Sequence, residues 1–126
     1  MITLDAIVLP DDIWWSDELD WSPVEQKTEY SLEGALLIEE SVKQKGRTIT
    51  LAGSEDRAWV PRSTVLDLMD LAAIPGTEMV LTFGSRTFNV MFRRGDGLPV
   101  EARPIFAISP PADEDWYTLI LRLMEI

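Results

Sequence analysis

The sequence predicts a mainly β protein with one helix, an α+β arrangement built as an antiparallel β-sandwich or split barrel. Three observations carry this expectation. Short β-branched and apolar runs are separated by turns rich in Gly, Pro and Asp. Only residues 61–73 show apolar spacing of three and four. The chain has 126 residues and 46% apolar content, enough for one domain over residues 1–126 with its own core.

Residues 2–9, "ITLDAIVL", read as one strand that stops at Pro10. "PDDIWWSDELDWSPVEQ" follows, bracketed by Pro10 and Pro23, and reads as irregular or short-strand structure. In "EYSLEGALLIEESV", Tyr30, Leu32, Leu36 and Ile38 alternate with polar residues, which predicts a strand. Gly34 within it suggests a bulge or a close backbone approach. "KQKGR" (43–47) turns the chain into "TITLAG", the next strand. The helix is expected from Pro61 to Ala73, with Val65, Leu68, Met69 and Ala72 inward. Pro61 suits its first turn, Ser63 is an alternative cap, and Pro75 and Gly76 end it. "MVLTFGSRTFNVMF" is a hairpin whose loop, Gly84-Ser85, fits a type II′ turn. "RRGDGLPV" is a turn, "PVEARPIFAI" (99–108) a broken strand and "SPPADED" a loop. The last strand puts Tyr117, Leu119, Leu121 and Leu123 on one face. A chain that closes on "LILRLMEI" is expected to hold this strand inside a sheet.

The composition restricts chemistry. There is no histidine and no cysteine. The usual general base, the commonest metal ligand, thiolate metal sites, disulfides and imidazole-activated nucleophiles are therefore excluded. The acid clusters Asp11-Asp12, Asp17-Glu18-Asp20 and Asp113-Glu114-Asp115 lack the spacing of a calcium loop. They read as solvated loop acids rather than as a metal site or a glycosidase pair. "GSEDR" and "RRGDG" match no phosphate-binding loop. Neither catalytic residues nor a cofactor is expected. The N-terminus has no basic region ahead of its apolar run, and no segment approaches membrane-span length, so cytosolic synthesis without membrane insertion is expected.

Charge and tryptophan point to contacts with protein. The net charge is −11. Residues 1–40 hold eleven acids against Lys27 alone, while residues 41–63 hold five bases against two acids. Nucleic acid is disfavoured as a ligand, because phosphate binding needs clustered cations. Five tryptophans are many for this length. Trp14 and Trp15, adjacent in extended backbone, face opposite ways, so either both faces of that segment are covered or one ring is exposed. Exposed tryptophan ringed by charge marks a protein interface, and burial of all five in one core is the alternative. The expected subunit interface joins Trp14, Trp15 and Trp21 of one copy to Lys43, Lys45 and Arg47 of the next, with the charges setting orientation.

The segments "MITLDAIVLPDDIWW", "DELDWSPVEQ", "EGALLIEES", "GRTITLAG" and "DWYTLILRLMEI" together resemble small tail proteins of tailed bacteriophages. The group is that of the tail tip or baseplate, the minor tail or distal-tail-like proteins. The resemblance covers the order of segments along nearly the whole chain and includes no catalytic signature. It implies a fold like that of tail-tube and distal-tail proteins. It also implies a structural role in the virion tail, as a homo-oligomeric ring, often a hexamer, joining the tail tube to the baseplate hub. DNA would pass through the channel without specific binding, and an acidic wall suits that passage. The chain has no room for the peripheral domain that carries receptor-binding proteins in many distal-tail proteins. Two other classes are open on the residues alone: a small acidic protein-binding module, inhibitor or immunity-like, and a small carboxylate-based enzyme.

Overall fold

The structure, a computed structural model, describes residues 1–43, 45–107 and 109–126. Gln44, in the expected turn at 43–47, and Ile108, at the end of the expected broken strand, lie outside the described residues. The chain is mainly β, with eleven strands and one helix among the described residues. In order these are β1 (Ile2–Leu4), β2 (Ile7–Leu9), β3 (Trp14–Trp15), β4 (Val24–Tyr30), β5 (Leu36–Val42), β6 (Thr48–Ala52), β7 (Val60–Pro61), α1 (Arg62–Ala72), β8 (Met79–Phe83), β9 (Arg86–Phe92), β10 (Val100–Pro104) and β11 (Trp116–Glu125). Nine strands form one antiparallel sheet ordered β2-β1-β8-β9-β11-β6-β3, with β7 and β10 also on β11. The sheet does not close into a barrel. The strands β4 and β5 form a separate two-stranded sheet.

β11 is the axis of the molecule. Leu121 pairs with Leu51 of β6 and with Val100 of β10, and Leu123 pairs with Ile49 of β6 and Phe92 of β9. A residue has one neighbour on each side, so β6 lies along one edge of β11 while β9 and β10 share the other. Leu119, Leu121 and Leu123 are fully buried, as their alternation predicts. The registers align buried residues across strands: Val100, Leu121, Leu51 and Trp15 form one row. A slip of one residue would turn that row to solvent. Among the described residues every buried side chain is apolar.

α1 begins one residue later and ends one residue earlier than expected. Pro61 is its N-cap and supplies no side-chain cap, and Ser63 does not cap either. Instead the amides of Arg62 and Ser63 donate to the carbonyls of Asp115 and Asp113 at 2.8 and 3.0 Å. The acidic loop before β11 thus satisfies orphan donors of the helix start. Val65, Leu68 and Ala72 face the core, where α1 packs on β2, β7, β10 and β11. Met69, expected inward, is exposed.

Two expectations about strands need correction. Residues 2–9 are two strands, because Asp5 adopts φ 51° and reverses the chain. Its carboxylate accepts from the Val80 amide at 2.8 Å, so the sharp turn still extends the ladder to β8. Residues 30–42 are likewise not one strand. Tyr30 ends β4 and Leu36 begins β5. Gly34, φ 84°, is a turn residue rather than a bulge, and its amide donates to the Ser31 carbonyl at 3.0 Å. The loop Gly84-Ser85 is the two-residue turn expected, with Gly84 alone at positive φ.

Candidate functional site

The notable surface of the molecule is an arm. Every residue of β4 and β5 is exposed. The two strands pair with each other through seven rungs, from Val24↔Val42 to Tyr30↔Leu36. The Lys43 amide donates to the Pro23 carbonyl at 2.6 Å and closes the arm at its base. Residues alternate between faces along each strand. One face therefore carries Val24, Val42, Thr28, Ile38, Tyr30 and Leu36, interrupted by a Gln26–Glu40 hydrogen bond of 2.7 Å. The other carries Glu25, Lys27, Glu29, Glu39 and Ser41, with Leu37 as its apolar exception. Tyr30 is 74% exposed, Val42 71%, and Leu32 at the tip is fully exposed. A hairpin without packing on either face is marginally stable by itself. An exposed apolar face of this kind marks an interaction surface.

The tryptophans divide. Trp15 is 3% exposed and Trp14 is 56% exposed, so adjacent rings do face opposite ways. Trp15 meets Phe83 and Phe88 edge-on, with centroids 5.6 and 5.4 Å away. β3 lies at one end of the sheet, so this contact shows the sheet curling back until that end reaches the β8–β9 hairpin. The guanidinium groups of Arg47 and Arg86 lie 4.7 and 4.9 Å from the Trp15 ring. Arg86 is also ion-paired with Glu18, and Arg47 donates to the Glu18 carbonyl at 2.8 Å.

Of the residues expected at a subunit interface, some are already engaged by their own chain. Trp15 and Arg47 act inside the subunit, because the curled sheet needs an aromatic seam and cations to cover it. Trp21 lies 5.9 Å from both Lys43 and Arg47 of its own chain. Aromatic–cation pairing of this kind is therefore present within one copy. Trp14, Lys43 and Lys45 are exposed.

Most of the acids of the loop clusters have structural partners. Asp12 accepts from the Ala58 amide at 3.1 Å, and Asp115 from the Ala112 amide at 2.8 Å. Asp17 accepts from the Thr50 amide and hydroxyl and from the Trp15 indole N–H, at 2.8–2.9 Å. Burial alone raises the Asp17 pKa. The donors Thr50, Thr48 and Trp15 outweigh it and hold the carboxyl below its ordinary value. In the "RRGDG" turn, Arg93 pairs with Asp96 at 2.7 Å, which gives the segment a local role. Among the described residues no three acidic side chains converge as a cation site. Among the described residues no helix is long and apolar enough to cross a membrane.

A second exposed cluster was not anticipated. Trp59 and Trp116 lie 6.5 Å apart, with Phe106 close by. Asp12, Glu55, Asp56 and Glu114 rim the shallow depressions around them. Nothing in the spacing of these residues along the chain brings them together; β7 pairing with β11 does. The chain matches no protein-family model, no curated protein and no solved structure.

Proposed function

We propose that this protein is a structural component of a bacteriophage tail, a ring-forming element of the tail tip or baseplate between the tail tube and the distal hub. On this proposal its fold is a variant of the tail-tube and distal-tail fold. The observation that carries the reading is the β4–β5 arm: a largely apolar sheet face with no partner among the described residues of its own chain. An element that cannot be covered within the subunit needs a cover from outside, and self-association supplies one at fixed stoichiometry. The chain's acidity and its resemblance to small tail proteins agree with this role. The tail tube and baseplate hub are the further partners, and the location is the virion tail.

The test compares wild type with a variant in which residues 24–42 are replaced by a short Gly-Ser linker. Mass in solution by light scattering, and incorporation into particles, are measured for both. The expected result is a multimer for wild type and a folded monomer, excluded from particles, for the variant. A wild type that remains monomeric at every accessible concentration overturns the reading.

The acid-rimmed Trp59–Trp116 cluster favours one other reading, an acidic binding module for a basic protein partner. Trp116→Ala would then abolish complex formation while loss of the arm would not.

A further inference from the structure

We propose that the apolar face of the β4–β5 arm docks into the groove between α1 and β10 of a second copy of the chain. The inference rests on the self-assembly reading above and names the surface that receives the arm. The body of the molecule offers two aromatic or apolar surfaces large enough for it. One is the Trp59–Trp116 cluster. The other is a groove of about 440 Å³ lined by Leu66 and Met69 of α1, Leu98, Ala102, Tyr117 and Arg103.

Charge decides between them. The arm, residues 24–42, carries Glu25, Glu29, Glu33, Glu39 and Glu40 against the single base Lys27. The Trp59–Trp116 cluster is rimmed by Asp12, Glu55, Asp56, Glu114 and Asp115 against Arg57 and Arg103, so an acidic arm there meets a net like charge. In the groove the one acid, Glu101, is already ion-paired with Arg122 at 3.1 Å. Arg103, which borders both surfaces, and Arg62, whose guanidinium donates to the Tyr117 hydroxyl of the groove at 2.9 Å, have no ion-pair partner among the described residues. They are available to the arm's carboxylates.

Shape and pattern agree. Leu66, Met69 and Leu98 are exposed apolar side chains with no cover in their own subunit. The Tyr30/Leu36 and Thr28/Ile38 rungs put four side chains on one face of the distal arm. Seven-residue strands reach roughly 23 Å, which exceeds the roughly 16 Å length of an eleven-residue helix such as α1. The arm's acidic opposite face stays in water. Arm and groove are different surfaces of the same chain, so the contact is head-to-tail and each copy both gives and receives, the arrangement from which rings close.

The chain has no cysteine, so single thiols can be placed without background. Ile38→Cys protein is mixed with Leu98→Cys protein under mild oxidation, and separately with Trp116→Cys protein. Products are resolved by non-reducing electrophoresis. The expected result is a mixed disulfide with Leu98→Cys in several-fold excess over that with Trp116→Cys. In parallel, Met69→Glu should weaken association by about tenfold, because it sets an unpaired carboxylate against the apolar arm. A dominant disulfide to Trp116→Cys, or a dominant Ile38→Cys homodimer, overturns the groove while leaving arm-dependent assembly intact. No arm-dependent mass increase in the cysteine-free protein overturns both the groove and the self-assembly reading.

Discussion

Trp14 and Trp15 show how far a pair of residues can be read. Extended backbone sends their rings to opposite faces, and that much was legible. Which ring would be inside was not, because it depends on the curl that brings Phe83 and Phe88 to β3. The two substitutions should differ accordingly. Trp15→Ala removes a buried indole and should cost about 3–5 kcal/mol. Trp14→Ala, at an exposed position, should stay within about 0.5 kcal/mol. Urea titrations of both variants check this, and equal losses would contradict the seam. Asp17 supplies a pH signature. Its folded-state pKa lies below that of the unfolded chain, so its contribution is complete above the ordinary aspartate range and is lost as pH falls through the folded value. The stability gap between wild type and Asp17→Asn should therefore be full near neutrality and shrink on acidification below about pH 4. A gap independent of pH would show that the hydrogen bonds to Thr50 do not depend on charge.

At the scale of elements, the sequence was most informative where periodicity and turn chemistry agree. The helix, the β8–β9 hairpin and the inward face of β11 are all of this kind. The misread segments differ in cause. At Asp5 the face shifts from Ile2 and Leu4 to Ile7 and Leu9, but three-residue strands are too short for that shift to stand out. At Gly34 alternation cannot distinguish a continuous strand from a hairpin whose loop keeps parity. Tyr30, Leu32, Leu36 and Ile38 have matching parity whether or not the chain reverses between them. The site was half legible for the same reason. The apolar residues of the arm were placed on one side of a strand, and only the strand pairing shows that this side faces no other element among the described residues. A stability prediction follows. The arm adds little to the body, and its ends are already joined by the Pro23–Lys43 hydrogen bond. Replacing residues 24–42 with a short linker should leave the melting temperature of the isolated monomer within a few degrees of wild type. A fall of ten degrees or more, roughly 2–3 kcal/mol or greater for a domain of this size, would mean that the arm supports the core.

Across the whole molecule, stability should be graded from β11 outward. β11 is hydrogen-bonded along both edges and contributes three fully buried leucines, and the rows that cross it run through β6, β9 and β10. Its central amides cannot reach solvent without breaking most of the sheet, so they should exchange hydrogen only through global unfolding. The arm is the opposite case. Its ladder is bounded by water on both faces and both edges, and its opening exposes no core. Its amides should exchange by local opening at a small fraction of the global free energy. Exchange followed by mass spectrometry on dilute monomer should therefore show two populations, slow in residues 118–123 and fast in 24–42. The same measurement on the assembled form carries the functional argument. If the arm is covered by another copy, its peptides should slow markedly on assembly while those of β11 change little, since they are already limited by global unfolding. Peptides covering α1 and residues 98–103 should slow together with it, because the receiving surface is buried in the same event. Slowing elsewhere, with the arm unchanged, would place the contact between copies on a different part of the sheet.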